Sequence, residues 1–379
     1  MTASDMLDGE CAASTAFNFS VDCYDSGRLA AADWPSITAA SDLKMHVYQS
    51  REFLDVWMNT IGRARRIECY LIVVRDRAGR PVLYLPLGIE TKFNVRLLRF
   101  MDAGVADYNA PILAPSFEPT RQEFDGLWSQ VLSMLPRCDA IDLQKISSDV
   151  GGARNPLTYL DCVPYPSSGH SVALGALCTE VNARSSVQTL RKNLRRHFRA
   201  LSRAGETHFV VNPDVAETAH VLERLFELKR RTYLRTTGRD FLAMPGVTDF
   251  YRQMAAPDRI GRVSHLSALT CGGNVVSAHL GFVGGGRFHY VLPAYDGEYQ
   301  RFKPGHLLLQ HLIDHCFERQ FSTFDLGLGD FSYKVTWATH RLPLYAHERP
   351  VTLAGRLYLQ LRRARRFVGA TGLREWLRA

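Results

Sequence analysis

The order in which strands and helices follow one another is the feature that most constrains the fold of this 379-residue chain. Apolar residues that recur at helical spacing predict helices, and short apolar runs bounded by turn residues predict strands. The succession is strand, two helices, three antiparallel strands, helix, strand, helix and strand, and it occurs approximately twice. We therefore expect an α/β protein with mixed sheets, built as two tandem domains of one architecture.

The second copy carries the clearer signals. Strands are predicted at 208–212, 263–270, 274–283, 287–293, 323–327 and 342–348, and helices at 216–235, 247–255, 304–319 and 331–338. Glycine-rich turns separate its three consecutive strands, as hairpins require, since glycine accepts a positive φ. Pro304 is favoured in the first turn of the helix that it opens.

The first copy is predicted from similar patterns. Its helices are expected at 50–61 and 121–135, and its strands at 17–23, 67–75, 81–89, 95–101 and 140–145. These patterns divide the chain into five segments. They are a partly loose segment at 1–40, an N-terminal domain at 41–180, a basic linker helix at 181–204, a C-terminal domain at 205–350 and a basic helix or tail at 351–379.

Composition excludes several classes of protein. With 46% hydrophobic and 22% charged residues, the chain is globular rather than disordered. No apolar run is long enough to span a bilayer, and the acidic first residues are unlike a secretory signal, so we expect a cytoplasmic protein. The eight cysteines contain no C-x-x-C pair, which disfavours a zinc ribbon or a dithiol motif.

The net charge of +8 comes from two local segments. Residues 184–203 contain seven Arg or Lys and no acid, and residues 351–379 contain seven Arg and one Glu. The first is an amphipathic helix, either a solvated linker or a surface for an anionic ligand such as a phosphorylated sugar, a lipid-linked carrier, tRNA or a membrane. The second could lie on an anionic membrane, at the periphery of the inner membrane, or form a basic tail.

The loop from Tyr295 to Gly305 joins a strand to a helix and is the first candidate site. A helix start offers unpaired N–H groups and partial positive charge, which suit a pyrophosphate. Arg301 and Lys303 would add charge, and Gly305 would let the backbone approach an oxygen closely. Asp296 at the strand exit is a candidate base, and Tyr295 could protonate a leaving thiolate. The alternative is an ordinary helix start with solvated cations.

A second group of residues follows the next strand. Asp330, Tyr333, Lys334 and Trp337 are three or four residues apart and so lie near one helix face, where they could handle an acceptor. Alternatively Asp330 caps the helix, Lys334 pairs with it and Trp337 anchors the core. His289 in a strand could face the acceptor or be structural.

A metal site is not expected from the sequence. His311 and His315 stand four residues apart on one predicted helix and could share an ion. No motif supplies a third ligand, so no metal is predicted.

The motifs together resemble those of CelD/BcsL-type GNAT acetyltransferases, relatives of the Fem-type peptidoglycan aminoacyl transferases. The resemblance covers most of the chain beyond residue 40. It is carried by Leu190–Arg196, Ala294–Leu309, Phe324–Trp337 and, in the first half, Asp107-Tyr108-Asn109-Ala110-Pro111.

The resemblance implies an acyl-CoA N-acyltransferase fold and a set of roles for the candidate residues. Acetyl-CoA or another acyl-CoA would be the co-substrate, and no metal would be needed. The implied cofactor-binding residues are Arg301, Lys303, Gly305 and His306. The implied catalytic residues are Asp296, Tyr333, Lys334 and Tyr295, and the implied substrate contacts are Asp330, His289, Trp337 and Tyr108.

The chain departs from this family pattern at three places. The first half lacks a basic loop with glycine, so we expect no cofactor there. In the second half the phosphate loop is reduced to Arg301 through Pro304-Gly305, and such reduced loops also occur where aminoacyl-tRNA is the donor. Lys229 and Tyr233 stand where a His and a Trp are expected.

Three functions remain open at this point. The first is acetyl transfer from acetyl-CoA to an amine or hydroxyl of a glycan or polysaccharide precursor, or a related small acceptor. The second is a Fem-type aminoacyl transferase that uses aminoacyl-tRNA, the one case in which nucleic acid is an expected partner. The third is a noncatalytic protein that binds a polyanion.

Overall fold

A computed structural model describes residues 19–29, 32–39, 42–176 and 181–376, with side chains as far as residue 364. The strands are β1 (Ser20–Asp25), β2 (Glu68–Arg75), β3 (Pro81–Lys92), β4 (Val95–Phe100), β5 (Ile112–Leu113), β6 (Ala140–Ser147), β7 (Asp149–Val150), β8 (Ala153–Arg154), β9 (Val163–Pro164), β10 (Gly169–Ala173), β11 (Thr207–Val211), β12 (Ser264–Cys271), β13 (Asn274–Gly284), β14 (Arg287–Tyr295), β15 (Thr323–Leu328), β16 (His340–Leu342) and β17 (Leu344–Pro350).

The helices lie between these strands. They are α1 (Arg51–Trp57), α2 (Arg63–Arg65), α3 (Arg121–Met134), α4 (Leu174–Ala176), α5 (Ser185–Ala204), α6 (Val215–Thr237), α7 (Val247–Met254), α8 (Pro304–Glu318), α9 (Ser332–Trp337) and α10 (Leu353–Trp376). A π-helical stretch, Met58–Gly62, joins α1 to α2, and a 3₁₀ helix, Gly297–Phe302, precedes α8.

The strands form two large mixed sheets of equivalent order. The first runs β1-β2-β3-β4-β6-β17-β9, with β5 attached to β3, and the second runs β11-β12-β13-β14-β15-β10-β16. The prediction of an α/β protein with mixed sheets is therefore confirmed. The repeated order of elements along the chain gives two sheets whose strands correspond position by position.

Each sheet contains a short parallel pair in its middle. In the second sheet β14 pairs with β15 only from Arg287↔Thr323 to His289↔Asp325. In the first sheet β4 pairs with β6 only at Leu97↔Ala140 and Leu98↔Ile141. Beyond these positions the two strands of each pair diverge. A gap therefore opens in each sheet, and the side chains of the surrounding residues line it.

Two strands pair with the sheet of the opposite half. β10, which precedes α5 in the chain, lies between β15 and β16 in the second sheet. β17, near the end of the chain, lies between β6 and β9 in the first sheet. The predicted domain limits at 180 and 205 stay a prediction, and sheet membership does not follow them.

One apolar core also extends across both halves. Phe53 of α1 packs edge to face against Phe250 of α7 and Phe282 of β13, with ring centroids 5.0 and 5.4 Å apart. Trp57 belongs to the same buried cluster, and its indole N–H donates to the carbonyl of Asp102 at 3.1 Å. Since aromatic side chains bury large areas, this cluster holds the halves together along with the exchanged strands.

Several element limits differ from those predicted. The first helix continues beyond residue 61 through the π-helical stretch, and the basic segment after 350 forms α10. The strand predicted at 17–23 begins at Ser20, and positions 17 and 18 lie outside the described residues. Within the part of the chain that the structure describes, no helix is long and apolar enough to cross a membrane.

The contact between α10 and the first sheet generates a stability prediction. A β-carbon at Gly355 would clash with the backbone carbonyl of Asp139, which is not a movable side-chain end. We expect Gly355→Ala to lower the free energy of unfolding by about 1–3 kcal/mol, as overpacking does. Urea unfolding measures this. Gly297→Ala is the matched control because a β-carbon there has no atom within 4 Å, and equal stability of the two variants would contradict the contact.

Candidate active site

A cavity lies at the start of α8, against the part of β14 that has diverged from β15. Its volume is about 140 Å³, and most of its lining is apolar or aromatic. The lining residues are Tyr290, Pro293, Ala294, Tyr295, Gly305, His306, Leu309 and Tyr333. Four of the predicted site residues, namely Tyr295, Gly305, His306 and Tyr333, therefore meet at one place.

The turn into α8 explains how the helix start reaches this cavity. Lys303 has φ 53° and ends the 3₁₀ helix, which reverses the chain before Pro304 opens α8. A β-carbon at Gly305 would come within 3.2 Å of the Tyr295 ring, so glycine permits the close approach of helix and strand. The positive end of a 15-residue helix thus lies at the cavity.

Three predicted residues of the same loop, Asp296, Arg301 and Lys303, do not line the cavity. The guanidinium carbon of Arg301 lies 4.6 Å from the ring centroid of its neighbour Phe302. Asp296 accepts a hydrogen bond from Arg224 of α6 at 2.6 Å and from the backbone N–H of Glu298 at 3.0 Å. The contacts of Asp296 are those of a residue that caps the 3₁₀ helix. The predicted roles of Asp296, Arg301 and Lys303 stay predictions.

A buried carboxylate from the first half reaches the same region. Asp107 accepts a hydrogen bond from the Tyr48 hydroxyl at 3.3 Å. Its carboxylate touches Gly327, where φ is 75° and a side chain would collide with it. Burial raises the pKa of Asp107 above its ordinary value, although Lys334 and Lys145 act in the opposite direction. Asp107 is therefore a group that can exchange a proton closer to neutral pH than an exposed aspartate.

Helix α6 brings an amine to the backbone of Pro293, one of the residues that line the cavity. The Lys229 ammonium donates to the carbonyl of Pro293 at 3.0 Å and lies 5.0 Å from the ring centroid of Tyr233. Burial, with a contribution from Lys334, lowers the pKa of Lys229 to about 8. A substantial neutral fraction of this amine is thus available near physiological pH, as a general base requires.

Helix α9 supplies two further groups. Tyr333 lines the cavity, and burial, reinforced by Asp107, raises its pKa to about 12, so it stays a hydrogen-bond donor. Lys334 donates to the carbonyl of Leu328 at 2.6 Å. Burial lowers the pKa of Lys334, while Asp107 and Asp325 oppose that shift. Tyr333 and Lys334 are both within electrostatic reach of Asp107.

The other residues predicted beside them point elsewhere. Trp337 is buried, with the guanidinium carbon of Arg191 5.1 Å from its ring centroid. Asp330 accepts from a ring nitrogen of His170 on β10 at 2.8 Å, and the backbone N–H of Ser168 lies 3.3 Å from its other oxygen. Asp330 thus ties α9 to the exchanged strand, and the substrate role of both residues stays a prediction.

Tyr108 and His289 meet at a different carboxylate. The Tyr108 hydroxyl donates to Asp325 at 2.8 Å, and His289 lies 3.7 Å from the other oxygen of that carboxylate. Burial by itself would raise the pKa of Asp325, but His289, Arg287 and the Gly327 N–H hold it below its ordinary value. Burial lowers the pKa of His289 to about 3. This network joins the first half to β15.

Sequence reasoning did not select Asp107, Lys229 or Tyr233 as site residues. The sequence nevertheless contains a signal for Lys229, which interrupts the buried stripe of α6 formed by Leu225, Phe226 and Leu228. A lysine on such a stripe must either extend to solvent or find a partner, and here it finds a backbone carbonyl. Asp107 gives no comparable local signal, because its contacts come from residues distant in the sequence, such as Tyr48 and Gly327.

The histidine pair considered for a metal has other contacts. The His311 ring stacks on Phe209 with centroids 3.8 Å apart, and His315 lies near His265 with centroids 5.7 Å apart. Among the residues that the structure describes, no group of three or more His, Cys, Asp or Glu side chains is placed to hold a metal ion.

The corresponding gap in the first sheet is bridged by charged side chains. Arg99 of β4 binds Asp142 of β6 at 2.7 Å and Glu90 of β3 at 2.7 Å. Arg362 from α10 adds ion pairs to Asp142 and Glu348. The two gaps are equivalent in sheet topology and each borders a cavity, but the linings differ in chemistry. The first cavity, of about 240 Å³, is lined by many charged side chains, including Glu90, Arg99, Asp142 and Arg362, whereas the second has a mainly apolar lining.

Comparison with known proteins agrees with this architecture. Residues 188–335 match the acetyltransferase (GNAT) domain family. This stretch includes the diverging strands, the turn into α8 and most of α9, so the candidate active site lies largely within the matched residues. No curated protein matches the chain.

Two solved structures show the extent of the fold. The C-terminal domain of a putative lysylphosphatidylglycerol synthetase from Agrobacterium fabrum is 14% identical, with a TM-score of 0.52 over 82% of this chain and 93% of that one. FemX is 12% identical, with a TM-score of 0.52 over 83% of this chain and 92% of that one. The predicted GNAT architecture is confirmed, whereas the CelD/BcsL branch stays a prediction.

The bond between the halves generates a second prediction. Tyr108→Phe removes the donor to buried Asp325, and we expect it to lower the free energy of unfolding by about 1–3 kcal/mol at neutral pH. Because the folded state lowers the pKa of Asp325, this deficit should shrink as the pH falls through the carboxylate range. Urea unfolding at several pH values measures it.

Tyr84→Phe is the matched control, because Tyr84 is also buried and no hydrogen bond of its hydroxyl is seen among the described residues. If Tyr108→Phe and Tyr84→Phe lowered the free energy of unfolding equally, the Tyr108–Asp325 hydrogen bond would not stabilise the folded protein as predicted.

Proposed function

We propose that this protein is an acyltransferase that transfers an acyl group from a phosphorylated thioester donor, in our reading acetyl-CoA, to an amine or hydroxyl. The observation that carries the proposal is the cavity between β14, the start of α8 and α9. A thioester arm is narrow and largely apolar, which matches the lining. A pyrophosphate would lie at the helix start, where backbone N–H groups and the helix dipole favour negative charge.

The residues present fit such a donor. Gly305 and His306 line the cavity at the helix start, and the exposed side chains of Arg301 and Lys303 stand on the turn just before it. Two cations on the turn would strengthen binding of a pyrophosphate without lining the cavity themselves.

The chemistry would be direct attack. The acceptor nitrogen or oxygen bonds to the thioester carbonyl carbon, the resulting oxyanion collapses, and the carbon–sulfur bond breaks. Lys229 in its neutral form would take the acceptor's proton, and Tyr333 would donate a proton to the leaving thiolate. Asp107 and Lys334 would position Lys229 and Tyr333. The charge of Asp107 shifts the pKa of both residues, and the charge of Lys334 shifts the pKa of Lys229.

The acceptor that we propose is an amine or hydroxyl of a glycan or polysaccharide precursor. Its support is the resemblance of the motifs to CelD/BcsL-type enzymes.

A second candidate donor, aminoacyl-tRNA, is favoured by one specific observation. α5 packs beside α8, and five of its cations are exposed: Lys192, Arg195, Arg196, Arg199 and Arg203. Only Arg191 of this helix forms an ion pair among the described residues, with Asp314 of α8 at 2.8 Å. A 20-residue helix is about 30 Å long, more than a pyrophosphate needs. A noncatalytic polyanion-binding protein would also use these cations but leaves Lys229 and Tyr333 without a role.

Donor binding is tested by calorimetry with coenzyme A. We expect Arg301→Ala combined with Lys303→Ala to weaken binding about tenfold, which corresponds to about 1.4 kcal/mol. Arg121→Ala combined with Arg137→Ala removes the same charge from the exposed surface of the first half and should leave the affinity unchanged.

Two results would contradict this assignment. If both double variants bound coenzyme A as the wild type does, the turn before Pro304 would not be a pyrophosphate site. If the wild type bound aminoacyl-tRNA with strong salt dependence and did not bind coenzyme A, the second candidate donor would replace the first.

The role of Lys229 is tested by the pH dependence of turnover, with acetyl-CoA as donor, glucosamine as probe acceptor and thiol release as readout. A base with a pKa of about 8 is neutral above that value, so the rate should rise as the pH increases through about 8. Lys229→Gln should lower the rate at least 100-fold and abolish that rise, because general bases contribute about 10²–10⁴-fold.

Lys192→Gln on the exposed face of α5 serves as the control. A rise in rate caused by deprotonation of the glucosamine amine would persist in both variants. Only the part of the rise that Lys229→Gln abolishes is therefore attributed to Lys229. An unchanged rate and profile in Lys229→Gln would remove Lys229 from the mechanism.

A further inference from the structure

The last helix of the chain exposes a row of leucines. Leu353, Leu357 and Leu361 of α10 are 81%, 59% and 53% exposed. They are four residues apart, so they share one face of the helix, and Ala364 continues that face. We call these three leucines the C-terminal leucine face.

The opposite face of α10 is firmly packed. Leu359 is 3% exposed and packs with Leu97 and Ala140 of the first sheet. Gly355 lies directly against the backbone at Asp139, and Arg362 pairs with Asp142 and Glu348. These contacts fix the rotation of the helix about its axis. Because the opposite face of α10 packs on the first sheet, the C-terminal leucine face points outward.

Positive charge surrounds the leucine face. Arg356 is exposed on α10, and Arg349 is exposed just before the helix. Residues 351–379 contain seven Arg and one Glu, so the charge of this segment is strongly positive. An amphipathic helix with leucines on one face and arginines at its borders is the pattern of a helix that lies in the interface of an anionic bilayer.

The charge also argues against the obvious other occupant. A second copy of this chain would bring an identical arginine-rich segment close to the first, and like charges would repel. An anionic lipid surface would instead neutralise the arginines while its acyl region covers the leucines.

We propose that α10 binds the surface of anionic membranes, with the C-terminal leucine face inserted at the boundary of the headgroups and acyl chains. The protein would then be peripheral, held by one face of a helix whose other face belongs to the first sheet. This inference does not depend on the acyl-transfer chemistry, because none of its residues lines the cavity at α8.

The test is sedimentation of the full chain with vesicles of pure phosphatidylcholine and with vesicles containing 30% phosphatidylglycerol, about the content that gives a negative surface. We expect binding to the second and at least tenfold less to the first. Leu353→Ser, Leu357→Ser and Leu361→Ser combined should reduce binding to anionic vesicles at least tenfold with an unchanged melting temperature, since all three side chains are exposed.

The matched control replaces exposed apolar residues elsewhere. Phe93→Ser, Val215→Ser and Leu234→Ser combined change side chains that are 85%, 65% and 55% exposed, and this variant should bind like the wild type. The proposal is overturned if the wild type ignores anionic vesicles or if the leucine variant still binds them. A concentration-dependent dimer in analytical ultracentrifugation that the leucine variant loses would assign the face to a second copy instead.

Discussion

A buried hydrogen bond between Tyr108 and Asp325 fixes the geometry of the candidate active site. It ties the loop of the first half to β15 at the point where β15 leaves β14. Asp107, next in the chain, is thereby held beside Gly327, where no side chain intervenes. The cavity, the amine of Lys229 and the phenol of Tyr333 gain their electrostatic environment from this placement. The first half therefore contributes to the site even though the cavity itself lies in the second sheet.

The two sheets show how one architecture can give different chemistry. Both contain a parallel pair that ends early, and the divergence that follows is a backbone property. In the first sheet Arg99, Asp142 and Arg362 form ion pairs that line the cavity at the gap. In the second the cavity has a mainly apolar and aromatic lining, with the charged groups of Asp107, Lys229 and Lys334 nearby. Side chains, rather than topology, therefore set the chemical character of each gap.

The sequence predicts the parts of this molecule that depend on local interactions. Helical periodicity, glycine turns and Pro304 place most elements within a few residues, and the loop leading to Gly305 is found as a candidate site. The exchange of β10 and β17 is not predictable this way, because strand pairing joins residues far apart in the chain. The same reason applies to Asp296, whose partner Arg224 is on another helix, and to Asp107, whose burial depends on both halves.

The position of β17 has a consequence for biosynthesis. Residues 344–350 fill the place between β6 and β9, so the first sheet lacks an inner strand until the chain as far as residue 350 has left the ribosome. Until then the edges of β6 and β9 are unpaired backbone, which is prone to associate with other chains. Closure over so many residues is slow compared with local folding. The nascent first half would therefore be an expected client of chaperones until residues 344–350 are available to pair.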